Sequence, residues 1–390
     1  MNLKHIKEAD SQKKRIVLRV DFNIATDTPF LHARFQGILP TLEYLLNQRA
    51  TIIIVSHRGR PEGKRNQSFS LQKFIMPLST ATHKKVFFFD NFPKQTKLLH
   101  SLPPNSLVLL ENIRFFPGEE KNDISFSKKL ASLGEIYVND AFASAHRIHA
   151  STVGITSYLP AYAGFHLFEE INKIDYHLHL SHSPRLAIIG GKKTADKIYV
   201  LERLLTLVDV IYIGGAIGNT FLKANKITIG DSEYDEHMML QAQKIMQLAK
   251  RLKKRIYLPR DVMVSKNKKV RFVNVNQVEP HMRIVDIGHV STQQLSNLIQ
   301  EAQSIIWNGP LGIYENILTH RSTQELGVIL NSVSVPILIG GGDTILALKN
   351  TSFTNPHLHI STGGGALLSY LSHGTLPGLF PLLHKLRYSK

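Results

Sequence analysis

The 390-residue chain contains no cysteine, which excludes disulfides, thiolate metal sites and cysteine nucleophiles together. Long apolar runs are missing too: no stretch approaches the roughly 20 apolar residues that a membrane helix needs. The opening stretch, MNLKHIKEADSQKKR, lacks the apolar core of a signal peptide. A cytoplasmic protein with no membrane partner is the expectation. Neither common nucleotide fingerprint occurs, G-x-x-x-x-G-K-[ST] or G-x-G-x-x-G. Acidic side chains are scarce, with 30 Asp and Glu against 47 Lys and Arg, for a formal charge of +17. Such an excess favours anionic partners. The densest basic run, Lys250 to Lys269, reads as a solvated face, because no aromatic-basic RNA motif or zinc-finger spacing accompanies it. Nucleic acid is therefore not expected as a partner.

What is present is a repeated pattern of short β-branched runs that stop abruptly and lead into helix-like stretches. In the first half these are Arg15–Val20, Thr51–Val55, Leu107–Leu110 and Ile136–Val138. In the second half they are Leu186–Ile189, Val210–Ile213, Ile256–Leu258, Ile305–Trp307, Ile337–Ile339 and Leu358–Ile360. Continuous apolar runs suit strands buried on both faces of a parallel sheet, and strand–helix alternation implies right-handed α/β units. In such sheets ligands bind beyond the carboxyl ends of the strands. The expected fold class is α/β, with two Rossmann-like parallel-sheet domains of similar size, separated by a cleft and joined by a hinge helix. The boundary is expected near Pro160–Phe168, with an amphipathic connecting helix over Leu167–Ile174.

The two halves end their strands differently. The first gathers Arg34, His57, Arg60, Arg114, His146, Arg147 and His149 around strand ends and loops, beside Asp21 and Asn23. Guanidinium forks hold phosphate or carboxylate oxygens in pairs, and Asp21 with Asn23 suits a hydroxyl, so a small anionic metabolite fits. The second half places glycines after its strands, where the backbone can approach a phosphate and present N–H groups. Gly190-Gly191 leads to Lys193 and Lys197, expected at i,i+4 on the first turn of one helix. Gly341-Gly342-Asp343-Thr344 sets one carboxylate and one hydroxyl at a helix start, suited to Mg²⁺ and phosphate oxygens, and Glu315 suits ribose hydroxyls. His177, His179 and His182 read as a surface cluster.

Taken together these segments resemble phosphoglycerate kinase along nearly the whole chain. The stretches that carry the likeness are Arg19-Val-Asp-Phe-Asn23, Arg34 with Leu39-Pro-Thr41, Ser56-His-Arg-Gly-Arg-Pro61, Leu110-Glu-Asn-Ile-Arg-Phe115 and Val138-Asn-Asp-Ala-Phe142. It continues through His146-Arg147, Gly190-Gly191 to Lys197, Trp307-Asn-Gly-Pro310 with Glu315, Gly340-Gly-Gly-Asp-Thr344 and Ser361-Thr-Gly-Gly-Gly-Ala366. The resemblance implies that residues 1–165, with a tail 377–390 returning to them, bind 3-phosphoglycerate or 1,3-bisphosphoglycerate, and that 166–376 bind ADP or ATP. It implies substrate contacts from Asp21, Asn23, Arg34, His57, Arg60, Arg114 and Arg147. It gives Arg34, Lys193 and Lys197 the transferring phosphoryl, with Lys193, Lys197, Asn308, Glu315, Gly341, Gly342, Asp343 and Thr344 on the nucleotide and Asp343 on Mg²⁺. It also implies a monomer, and a reaction of glycolysis that requires the lobes to close.

The sequence departs from the family's usual pattern at several points. Lys192 replaces a small residue, Ala195 a serine, Ala25 a proline and Ser322 a glycine, and Ser369 and Ser372 replace glutamates, while Leu31-His32-Ala33 stands where acidic residues are common. These changes bear on nucleotide affinity and salt dependence. The alternatives left open are a catalytically weak relative acting as a basic binding protein, and a different carboxylate kinase on the same scaffold.

Overall fold

β-branched and leucine-rich runs with no polar alternation cannot leave a face in water, and most become strands covered on both sides, the edge strands at Arg255–Tyr257 and Leu358–Ile360 only partly so. The computed structural model describes residues 1–24, 32–180, 182–267 and 269–384. Ala25, Leu31 and the last six tail residues therefore lie outside the described residues. The chain divides into two compact units, one formed by Met1–Asn172 together with the segment from Thr375 on, the other by Lys173–Gly374.

In the first unit the elements are β1 (Arg15–Arg19), α1 (Ala33–Asn47), β2 (Thr51–Val55), α2 (Ile75–Thr82), β3 (Val86–Phe89), α3 (Phe92–His100), β4 (Leu107–Leu110), α4 (Ile124–Ala131), β5 (Ile136–Asn139) and β6 (Ala161–Ala163). The strands form one parallel sheet in the order β3-β4-β2-β1-β5-β6. Every residue of β2, β4 and β5 is buried. Two strands escaped the sequence reading: β3, whose VFFF run was legible, and β6, which is too short to carry a pattern. The tail lies against this unit, with Leu383 paired antiparallel to Leu3 and the Gly378 amide donating to Ala145 O at 2.8 Å.

The helix α5 (Phe165–Leu178) is longer than expected and contains the point of division between the units. His177 on its last turn is buried, its Nδ1 2.6 Å from Lys173 O, so the expected surface cluster of histidines does not include it.

The second unit continues with β7 (Arg185–Ile189), α6 (Thr194–Leu207), β8 (Val210–Ile213), α7 (Gly215–Ala224), α8 (Met239–Arg251) and β9 (Arg255–Tyr257). After β10 (Asp261–Lys266), β11 (Lys269–Asn274) and β12 (Arg283–Ile287) come α9 (His289–Glu301), β13 (Ser304–Asn308), α10 (Arg321–Ile329), β14 (Ile337–Gly340), α11 (Gly342–Ala347), β15 (Leu358–Ile360) and α12 (Gly365–His373). Six strands again lie parallel, in the order β15-β14-β13-β7-β8-β9. The antiparallel sheet β11-β10-β12 was not foreseen. Its outer strand β11 is almost wholly exposed, so the basic run that feeds it carries no continuous apolar pattern. Among the described residues no helix is long and apolar enough to cross a membrane.

Candidate functional site

The polar residues that follow β1, β2 and β4 form the cationic cluster of the first unit. Asp21 is buried and accepts from the Asn23 amide at 2.8 Å, while its other oxygen pairs with Arg34 Nη1 at 3.2 Å. Arg34, on the first turn of α1, also donates to Asn23 O at 3.1 Å. The Asn23 side-chain oxygen accepts from the Gly59 amide at 2.9 Å, and Arg114 donates to Gly59 O at 2.8 Å. Asp21 and Asn23, expected to meet a hydroxyl, thus also tie the loop after β1 to α1 and to the loop after β2. Glu120 sits 3.1 Å from Arg114 Nε. Arg147 is exposed beside Arg114, His146 and His149, and Arg60 is exposed in the loop after β2.

Arg19 is the residue that sequence reasoning passed over. It is buried in β1, donates to Ser151 Oγ at 3.0 Å, and lies 3.0 Å from His57 Nδ1. An arginine is donor-only, so His57 Nδ1 accepts and its proton sits on Nε2. Ser151 in turn donates to the buried Glu119 at 2.6 Å, which gives the Arg19 charge a partner. The signal was present: a guanidinium inside a strand otherwise apolar demands a buried acceptor.

Burial, followed by the positive charge of Arg19, Arg114 and Arg34, holds the His57 imidazole well below its ordinary range. Burial and the neighbouring arginines likewise hold His146 and His149 down to about 4. All three are neutral near pH 7, so the arginines carry the charge and the imidazoles donate hydrogen bonds. A histidine whose folded pKa lies below its unfolded value of about 6.5 takes stability away as pH falls through that window. His149→Gln is therefore expected to flatten the loss of melting temperature between pH 6.5 and 4 relative to the parent. Parallel melting curves would contradict the burial argument.

Several motif residues prove to be braces. Glu111 accepts from Leu71 N at 2.8 Å, Asn112 N at 2.7 Å and Ser70 Oγ at 2.8 Å, and Asn112 donates to Arg58 O at 2.7 Å. They fix the loop that bears His57 and Arg60. Thr41 donates to Asp140 at 2.6 Å and accepts from the Phe165 amide at 2.9 Å, tying α1 and the end of β5 to the start of α5.

In the second unit, the strand β12 and the loops after β7, β8, β13 and β14 enclose a cavity of about 450 Å³, lined among others by Gly191, Lys193, Gly215, Pro310, Glu315 and Asp343. Its glycine wall is built from crossed backbones. Gly190 N donates to Asn308 O at 3.0 Å and Gly191 N to Pro310 O at 2.7 Å, so these two amides serve the protein and do not face a ligand as expected. Gly215 has φ +61°, and a Cβ there would lie 2.6 Å from Gly191 N. Only glycine permits that approach.

The helix α6 begins at Thr194, and Lys193 occupies the cap with non-helical backbone, ψ 79°. Lys193 thus lies outside the helix, and the two lysines do not share its first turn as expected. Lys193 lines the cavity. Lys197 is buried, its amine bonded to Gly190 O and 3.5 Å from Asn308 O, and burial holds it down to about 8. The Thr344 hydroxyl accepts from Gly309 N at 2.7 Å and donates to Gly340 O at 2.9 Å, so it braces the turn. Asn308 is buried beside Gly341, and its Nδ2 has no hydrogen-bond partner. A buried donor without an acceptor marks a place for a ligand oxygen. Gly342 and Asp343 are exposed at the start of α11, and the Tyr314 hydroxyl lies 3.4 Å from Asp343. Ser322, a departure from the family pattern, donates to the buried Asp286 on the cavity wall, whose carboxyl burial pushes up to about 6.

Comparison with known proteins agrees with this layout. The family model for phosphoglycerate kinase matches residues 6–374. A phosphoglycerate kinase of Moorella thermoacetica is 38% identical over 97% of this chain and 99% of its own, and one of Helicobacter pylori is 38% identical over 98% and 97%. The solved structure of phosphoglycerate kinase from Coxiella burnetii superposes with a TM-score of 0.86 at 33% identity, covering 97% of this chain and 98% of that one. With fold and sequence matched over almost its full length, the chain belongs to the phosphoglycerate kinase family, a family of phosphotransferases that act in glycolysis.

Proposed function

We propose that the protein transfers a phosphoryl group from 1,3-bisphosphoglycerate to ADP, reversibly, giving 3-phosphoglycerate and ATP. The observation that carries this reading is the presence in one chain of a donor-rich, acceptor-poor cluster and a separate glycine-walled cavity. The cluster of Arg34, His57, Arg60, Arg114 and Arg147, with Asp21 and Asn23, holds the phosphoglycerate. Arg114, Arg147 and His57 take its fixed phosphate, and Arg34 the end where the phosphoryl is exchanged. The cavity holds the nucleotide: Glu315 takes the ribose hydroxyls, while Lys193, Lys197, Asn308 and the turn Gly341-Gly342-Asp343, braced by the Thr344 hydroxyl, take the phosphates.

The attacking group in the reverse direction is a carboxylate, already ionised at neutral pH, so transfer needs no general base. The oxygen–phosphorus bond to one carrier forms as the bond to the other breaks, in line and without a phosphoenzyme. Arg34 and the lysines offset the charge on the equatorial oxygens. Among the described residues no three His, Asp or Glu side chains cluster for a metal. One carboxylate, Asp343, completed by phosphate oxygens and water, suits Mg²⁺. When bound, that ion would neutralise phosphate charge. Because the two ligands belong to different units, the reading requires a closing motion, with α5 as the hinge, that excludes water before transfer. It takes the protein to act as a monomer.

The assignment of the cluster is tested by calorimetry. Arg114→Ala is expected to weaken 3-phosphoglycerate binding at least about tenfold, the loss of a charge-assisted fork, while ADP affinity is unchanged. Equal weakening of both ligands would show that Arg114 shapes the fold and does not hold the acid.

A further inference from the structure

Two charged groups of the first unit are buried too deeply to meet a ligand. Glu119, in the loop between β4 and α4, is 0% exposed, and Arg19 on β1 is 1% exposed. Each nitrogen of the Arg19 guanidinium has a partner inside the protein: Nε donates to Ser151 Oγ, Nη1 to Val20 O and Nη2 to His57 Nδ1. Glu119 receives both donors of Ser151, the amide on Oε2 at 2.9 Å and the hydroxyl on Oε1 at 2.6 Å. Its backbone oxygen accepts from Ala150 N at 2.9 Å, and His149 Nδ1 lies 3.7 Å from Oε1. The Tyr137 hydroxyl donates to Ser151 O at 2.8 Å and holds the same segment from β5. Thr152 Oγ1 donates to Arg147 O at 2.7 Å, which closes the turn between that segment and Arg147.

One carboxylate thus anchors two segments that carry cationic or donor groups. Through Ser151 and Arg19 it reaches His57 in the loop after β2, and through residues 149–151 it pins the chain that follows Arg147. Resting on the reading of this cluster as the phosphoglycerate site, we propose that Glu119, acting through Ser151 and Arg19, is the positioning residue that presents His57 Nε2–H and the Arg147 segment to the fixed phosphate of the ligand.

The residue types set the direction of every bond in the first branch. An ionised carboxylate only accepts, so the Ser151 hydroxyl donates to Glu119 and is left to accept from Arg19. Arginine only donates, so His57 Nδ1 accepts and Nε2–H is the ring's one donor. Stability does not call for such a chain. Replacing a buried charge pair with apolar groups often loses nothing, and a pair built for strength is a direct two-bond fork, whereas here a serine stands between the charges. A donor fixed before the ligand arrives needs no reordering on binding, so loosening the chain acts on affinity for the acid.

The test begins with nuclear magnetic resonance of protein labelled with nitrogen-15 at histidine, His57 being assigned by the signal lost in His57→Gln. In the parent at neutral pH the proton is expected on Nε2, and that signal is expected to move when 3-phosphoglycerate is added. A proton on Nδ1 overturns the proposal without any variant. Steady-state rates with 3-phosphoglycerate and ATP then compare the parent with Ser151→Ala and Glu119→Gln, each checked for a folded melting transition. KM for 3-phosphoglycerate is expected to rise about fivefold or more in both, as a charge-assisted contact loses its aim. The fixed phosphate is held alike before and during transfer, so kcat and KM for ATP should each change by less than about twofold. Either variant decides the matter if the other does not fold; if neither folds, the chain is a brace of the fold and the proposal fails. A folded variant whose KM for 3-phosphoglycerate stays within about twofold of the parent, or rises equally with that for ATP, overturns the proposal and leaves the phosphoglycerate site standing. No binding of 3-phosphoglycerate by the folded parent in calorimetry overturns the reading on which it rests.

Discussion

Replacing Arg34 with alanine is expected to reduce kcat by roughly 10²–10³-fold, the usual consequence of removing one preorganised charge from a transition state. The guanidinium sits on the first turn of α1, oriented by Asp21 at 3.2 Å and Asn23 O at 3.1 Å. Its other donors are set by that grip before any ligand arrives. Because Arg34 belongs to the unit without the glycine-walled cavity, ADP affinity should change by less than about twofold. Arg34→Lys should recover little, since a single ammonium cannot reproduce a fork held by two acceptors. Steady-state rates with calorimetric ADP binding decide it. Loss of ADP binding equal to the loss of turnover would mean that the assignments of the two units are wrong.

Lys197 carries the second large effect, and its burial separates it from an ordinary surface lysine. Its amine bonds Gly190 O and approaches Asn308 O at 3.5 Å, so it joins the loop after β7 to the end of β13 directly under the glycine turn. Lys197→Ala should lower kcat by about 10²-fold or more by removing a charge that the phosphoryl requires. Lys197→Met, which keeps the stem, serves if the alanine variant unfolds. The buried amine also sets a pH signature. Burial holds its pKa down to about 8, so the charged form declines as pH rises through 8, and kcat/KM for nucleotide should fall above that point. Stability moves the other way. The unfolded lysine holds its proton to about 10.4, so the group disfavours folding below pH 8 and that penalty fades between 8 and 10.4. Activity falling while melting temperature rises over the same interval is a combination that surface lysines do not produce. An alkaline limb that persists in Lys197→Met would assign the limb to another group.

How far the molecule could be read in advance varied with the physics of each segment. Both parallel sheets were legible, because a strand such as Thr51–Val55 is buried at every position and its sequence, TIIIV, has no polar alternative. The sheet of β10–β12 was not, because β11 is exposed along most of its length and its sequence, KVRFVN, contains no continuous apolar run. Residue types at the strand ends located the cationic cluster and the glycine wall, but not the function of each side chain within them. Thr344 and the Gly190-Gly191 amides looked like phosphate ligands in sequence, and they turn out to hold the crossed loops together. Lys193 and Lys197 were one turn apart on paper, yet the first is the cap and the second a buried strut bonded to Gly190 O. Tertiary partners decide such matters, and a linear spacing does not contain them. Arg19 was the opposite case, a charge hidden in an apolar strand whose need for Ser151 and Glu119 was implicit in its burial.

The central claim is that the cluster and the cavity serve one reaction. The most direct measurement is ATP formation from 1,3-bisphosphoglycerate and ADP with Mg²⁺, followed in a coupled assay on the full chain. Sustained turnover that stops when either substrate is withheld is the expected result. A folded protein that binds both ligands in calorimetry and forms no ATP would contradict it.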